Sequence, residues 1–244
     1  MISQIFHAVV YDPLYNGLAF LVGVIPSHDM GLAVIALTIV VRIIIYPLSQ
    51  RAIHAQMAMK KLAPEIEKLK VKHKNDRAEQ GRAMFALYRE HGVRPLASIG
   101  LLFLQLPVLF GLYWVFYSGG FPEVDPTLLY SFISVPPEVN MEFLGFVDMG
   151  ANHNLVLAVL VTLSQVVYSR LSMGSRKKVL DATPVEASLS GDLAKSFDLQ
   201  ARYMLPLIIG VFSYFVAAAV PLYWLTSNLC MIGQEFLAGR KWKG

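Results

Sequence analysis

The sequence predicts an all-α integral membrane protein: five transmembrane helices, an N-terminal interfacial helix and a cytoplasmic antiparallel helical hairpin. Three observations carry this. Apolar residues make up 55% of the 244 positions and charged ones only 16%, with a mean hydropathy of +0.51, whereas soluble domains run at about 45–50% and about 25%. Sixteen charges crowd between Arg51 and Arg94, so the chain has one charged insert in an apolar background. Finally, lysine and arginine segregate. Eleven lie between Arg51 and Arg94, six between Arg170 and Arg202, three in the tail after Gly239, and one, Arg42, inside an apolar run.

Each element follows from length and charge. Residues 1–28 carry no Lys or Arg, so they lack the positive start of a secretory signal. Ile5, Phe6, Val9, Val10, Leu14, Leu18 and Leu21 keep helical spacing, broken at Asp12-Pro13, which favours an extracytoplasmic surface helix over a loosely ordered tail. A span needs about 20 apolar residues, and residues 29–50, 96–117 and 153–172 supply three. The apolar stretch from Tyr203 to Gly239 is too long for one span and has basic residues beyond both ends. It therefore turns back, giving spans at 202–219 and 220–238, with the turn near Ala217 to Val220 and Pro221 opening the return helix. Residues 118–152 form an extracytoplasmic segment, 173–201 a cytoplasmic loop and 239–244 a basic cytoplasmic tail. With every basic loop on one side, the positive-inside rule sets the N-terminus outside and the C-terminus inside.

Residues 51–95 read as the hairpin. Met59, Leu62, Ile66 and Leu69 line one helix, Met84, Phe85, Leu87 and Tyr88 the other, and Lys74-Asn75-Asp76 makes the turn. Its seam is thin, so the hairpin is expected to move relative to the spans.

Polar residues inside the spans are the candidate functional groups. Arg42 lies eight residues before Gln50, about 12 Å below that end of the helix. An arginine there is costly unless it reaches water, a partner or, by snorkelling, the surface. Thr38, Arg42, Tyr46 and Ser49 form a polar line, and similar lines pass through Ser98 and Gln105, through Thr162, Gln165, Ser169 and Ser172, and through Tyr223, Ser227, Cys230 and Gln234. A single line of this kind is ordinary helix packing. Several together with an arginine indicate a hydrated groove open to the cytoplasm. No acid accompanies Arg42 at its depth in the first four spans, so it is expected to act through positive charge, a role lysine could share.

Several chemistries are missing from the sequence. Cys230 is the one cysteine, which excludes a disulfide framework. The histidines form no H-E-x-x-H, no span pairs a serine nucleophile with a base, and there is no G-x-x-x-x-G-K-[ST] loop. An enzyme, a metal, a cofactor, nucleotide drive and specific nucleic-acid binding are therefore not expected. A small secondary transporter or channel for an anionic solute remains an alternative, as does a chaperone that only holds membrane helices. Against the transporter stands the odd span count without an inverted repeat.

Five stretches, in this order, resemble the YidC/Oxa/Albino-type membrane protein insertases: TIVVRIIIYPLSQR from Thr38, MKKLAPEIEKLK from Met59, ALYREHGVRP from Ala86, FLQLPVLFGLYWVF from Phe103 and LYWLTSN from Leu222. The resemblance covers nearly all of the chain after Tyr11 and is closest to a short bacterial form in the plasma membrane. It implies a five-helix core around a groove open to cytoplasm and lipid and closed outside. Arg42 would draw in the hydrophilic flank of a nascent membrane protein, whose apolar segment would slide along the first and third spans into lipid. Gln105 and Trp224 fall at motif positions lining or bracing the core, while Thr38, Tyr223, Ser227 and Gln165 join the groove from their polar lines. The hairpin, with Lys60, Lys61, Pro64, Lys68, Tyr88 and Arg89, would receive clients or the machinery that delivers them. Implied partners are nascent membrane proteins, membrane lipids, the ribosome, the signal-recognition machinery and a Sec-type translocon. The chain departs from the family pattern at Ala217 to Pro221, where a Pro-Ser-Gly turn is usual.

Overall fold

A computed structural model describes residues 2–74, 76–93, 96–117, 120–173 and 200–239, with the side chains of 2–3, 96–104 and 201 excluded. Residues 174–199 of the cytoplasmic loop expected at 173–201, the basic residues of the tail, Asn75 of the expected turn and the side chain of Ser98 thus lie outside the described residues. The rest is mostly helix, as an all-α membrane protein requires. The helices are α1 (Ile2–Phe6), α2 (Asp12–Val24), α3 (Met30–Lys72), α4 (Arg77–Glu90), α5 (Leu96–Tyr117), α6 (Leu155–Met173), α7 (Leu205–Phe215) and α8 (Ala219–Leu237). A two-stranded hairpin, β1 (Glu142–Phe143) with β2 (Val147–Asp148), is the only sheet among the described residues. By length and composition, Gln4–Val24, α3 and α6 are each able to cross a membrane, while Gln105–Tyr117 and Arg202–Phe215 are shorter apolar helices.

Asp12-Pro13 does not interrupt the first helix. A π-helical turn at His7–Tyr11 joins α1 to α2, with the Asp12 N–H donating to the His7 carbonyl. The wider turn shifts the hydrogen-bond register just before Pro13, which has no N–H to offer. The continuous helix buries Leu14, Tyr15, Leu18, Ala19 and Val22 and packs against α3 and α5. It is part of the core.

Helix α3 is a single rod where two elements were expected. Asp29 caps it, its Oδ1 accepting from the Leu32 N–H at 3.0 Å. Pro47 and Pro64 sit inside it without ending it. Beyond the turn, Asp76 caps α4 by accepting from the N–H groups of Ala78 and Glu79. Leu62 and Ile66 of α3 and Val93 form a small buried cluster with Met59, Met84, Leu87 and Tyr88 around them. Phe85 departs from the expected seam: it is 68% exposed. At about 100° per residue it points well away from the line through Met84, Leu87 and Tyr88.

Around the bundle the helices run α5, α3, α8, α6, α7, with α8 in the middle and α2 laid across α3 and α5. At α6 and α7 the approach is close, since a Cβ on Gly210 would collide with Thr162. The main core is at the end bearing β1 and β2, where Tyr15, Leu18, Val22, Met30, Val34, Leu112, Val115 and Val220 are fully or almost fully buried.

Residues 120–153 are stitched across that same end. Tyr15 Oη accepts from the Asp125 N–H at 2.8 Å, and Asn16 both donates to the Leu128 carbonyl and accepts from the Tyr130 N–H. The Met30 N–H donates to the Asn140 carbonyl, and Asp29 Oδ2 accepts from the Leu144 N–H. Phe143 lies against Gly31, where no larger residue would fit. On the far side, the N–H groups of Ala218 and Ala219 donate to the carbonyls of Ala151 and Met149, and that of His153 to the Tyr214 carbonyl. The break between α7 and α8 is thereby held by the segment above it, and Pro221 sits in the first turn of α8.

Candidate functional site

Arg42 is only 4% exposed. Its Nε and Nη2 both donate to Ser227 Oγ, at 2.9 and 2.6 Å, and Nη2 also donates to Gln105 Oε1 at 2.8 Å. Gln105 in turn donates through Nε2 to Tyr223 Oη at 2.5 Å. One guanidinium thus ties α3 to α5 and α8 through neutral oxygens alone. Among the described residues no carboxylate pairs with it. Nη1, the remaining edge, is buried without a protein partner.

Other buried polar atoms of α3, α6 and α8 also lack a protein partner. Ser49 Oγ and Gln50 Nε2 on α3, Gln165 Oε1 on α6, and Asn228 Oδ1 and Gln234 Oε1 on α8 are all buried with no hydrogen bond. Buried polar groups almost always find a partner, and in a membrane interior such groups face a wet path or the bundle interior. These atoms are equipped to pair with something polar brought to them.

The family described as "60Kd inner membrane protein" matches residues 21–243. The chain belongs to that family. Within it, a relative from Fusobacterium nucleatum, named membrane protein insertase YidC, is 30% identical over 95% of this chain and 98% of its own length. Relatives of the same name from Methylobacillus flagellatus and Clostridium tetani are 26% and 28% identical over 95% and 87% of the chain. The chain spans 36% of the Methylobacillus relative, 35% of one from Magnetococcus marinus and 82% of the Clostridium one. As a 60Kd inner membrane protein family member with apolar helices of spanning length, it is a protein of the inner membrane.

In this family member Arg42, Gln105, Tyr223 and Ser227, four of the groove residues named from sequence, meet in one network. Thr38 is buried beside them, but its hydroxyl donates to the Val34 carbonyl of its own helix at 2.6 Å. Gln165 is buried on α6, and Trp224 is half-buried against the main core. Tyr46 leaves the expected line, being 41% exposed. Thr162 faces Gly210 of α7 and serves helix packing.

Of the residues named on the α3–α4 pair, Lys61, Pro64, Lys68 and Arg89 are exposed, and Tyr88 belongs to the small cluster. Lys60 reaches the other way, donating to the Ser172 carbonyl at the end of α6, while Ser172 Oγ donates to Gln56 Oε1. α8 packs against both α3 and α6, which meet directly through Gln56, Lys60 and Ser172 at one end. The free helix edges belong to α5 and α7.

Two features were missed from sequence. Asn228 donates to Ser164 Oγ at 3.0 Å, locking α8 to α6 one residue after the Arg42 anchor. Glu235 is wholly buried. A lone Asn and a lone Glu in the apolar stretch were visible signals, but not their partners.

Proposed function

We propose that this chain is a membrane protein insertase with five spans, its N-terminus outside and its C-terminus in the cytoplasm. The topology rests on the segregation of Lys and Arg. The mechanism rests on one observation: a buried arginine held by neutral groups, with Nη1 left over. The polar flank of a nascent membrane protein enters from the cytoplasm and pairs with that edge. At an effective dielectric near 20, a carboxylate about 4 Å away gains roughly 4 kcal/mol before desolvation, against about 1 in water. The cap of residues 120–153 keeps the groove shut outside. The apolar segment then leaves between α5 and α7, driven by about 25 cal/mol for each Å² it removes from water, so no nucleotide is consumed.

The α3–α4 pair, through exposed Lys61, Lys68 and Arg89 beside Pro64 and Tyr88, recruits clients and the ribosome, signal-recognition machinery or Sec-type translocon that brings them. Reconstitution tests this. The purified chain in liposomes inserts a short-tailed single-span client that empty liposomes do not, and Arg42→Ala abolishes insertion. Solute flux without insertion would indicate a transporter, and client binding without insertion a holding chaperone.

A further inference from the structure

α5 packs on α3 and α7 on α6, with no more than marginal contact between α5 and α7. Between them lies a half-open crevice of about 560 Å³. Its walls are Phe110, Tyr113 and Phe116 of α5 and Phe212 and Phe215 of α7, with Val220 of α8 as its floor. Phe110 and Phe215 at its rim are 52% and 60% exposed, on outward-facing helix surfaces. Polar groups enter only at the end near the cap, where Gly150 and Asn152 close it, and at the Tyr113 and Tyr117 hydroxyls.

Size decides the occupant. A helix with side chains is about 10–12 Å across, so about 560 Å³ holds roughly one turn of one. An acyl chain fits. At a volume per methylene close to the ~30 Å³ of a liquid water, the crevice takes on the order of twenty carbons. Lipid tails are as apolar as the crevice walls, so the hydrophobic effect does not drive entry. The gain is dispersion between the close aromatic walls and a chain lying along them.

We propose that this crevice binds one acyl chain of an outer-leaflet phospholipid, with the ester and headgroup region at Asn152. The chain seals the gap between α5 and α7 at rest. The leaflet rests on the proposed topology, and if the insertase reading holds a departing client displaces the lipid; binding of an acyl chain in the crevice does not itself require client insertion.

The test uses the full chain in nanodiscs with Trp114, Trp224 and Trp242 replaced by Phe and a reporter at Phe116→Trp. Phospholipid brominated along its chains should quench this reporter at least twofold more than it quenches Trp224 kept as the sole tryptophan. Ala217→Leu, which fills the crevice, should relieve at least half of that quenching, and Phe212→Ala, which widens it, should increase it. Quenching no stronger than at Trp224, or quenching indifferent to both variants, overturns the proposal. Loss of client insertion with quenching intact would overturn the insertase reading and leave the lipid site standing.

Discussion

Arg42→Lys keeps the charge of the groove and removes its geometry, so it separates the two. The sequence alone favours charge and expects lysine to substitute. The structure argues otherwise, because Ser227 Oγ receives two N–H groups from one guanidinium while Gln105 receives a third bond. An ammonium is a single point at the end of a flexible stem and cannot chelate one oxygen from two nitrogens. At least one charge-assisted hydrogen bond is lost, worth about 1.5–3 kcal/mol. At 1.36 kcal/mol per factor of ten, insertion should slow by about 10- to 160-fold. Single-turnover insertion of a single-span client into proteoliposomes, followed by protease protection, measures this. Thermal unfolding of each variant in nanodiscs separates lost stability from lost function. Ser227→Ala supplies a second arm, since it leaves arginine and charge in place and should slow insertion by a similar factor. Wild-type rates for both variants would refute the argument and return Arg42 to a purely electrostatic role.

Asn16→Ala should cost about 2 kcal/mol by orphaning the Leu128 carbonyl and the Tyr130 N–H; amide exchange at Tyr130 would then quicken by about 30-fold. Gly210→Ala should destabilise by about 1–3 kcal/mol through its collision with Thr162, and adding Thr162→Ala should recover part of that in thermal unfolding. The Thr127 hydroxyl, and then its N–H, hold the Asp125 carboxyl below its ordinary range. Thr127→Val should therefore raise it, as read by NMR titration. Because the folded value is the lower one, its contribution to the cap is present above the unfolded pKa and is lost as pH falls through the folded one. Single cysteines at Ser134 and Gly81 in a Cys230→Ser background should label from opposite sides of the membrane; labelling from one side would refute the topology.

The buried polar line on α3 was legible where spacing and helix rotation agree. From Thr38 to Ser49 is eleven residues, about 20° from a whole number of turns, and both are buried. Tyr46, eight residues from Thr38, has drifted by about 80° and is exposed. Counting in fours concealed that drift, as counting consecutive apolar residues concealed it for Phe85. The charge network was only partly readable: Arg42 and its neutral neighbours could be named, but the two-nitrogen grip of the guanidinium on Ser227 Oγ depends on how α8 is rotated against α3. The cap was not readable. Its bonds from Asn16, Asp29 and Ala218 reach across more than 60 residues of chain, and no periodicity encodes them.

The unbroken run of α3 makes it a lever arm. From Pro47 to Lys72 the rod extends about 38 Å, and Pro47, whose missing N–H leaves the Ile43 carbonyl without its helical partner, is the softest point along that stretch beside Arg42. A tilt of about 10° there would sweep the far tip through roughly 6–7 Å while moving the arginine very little. The tie from Lys60 to the end of α6 sits about halfway along and braces the inner part of the arm. Forces applied beyond Lys60 are therefore shared by that brace before they reach the Arg42 network.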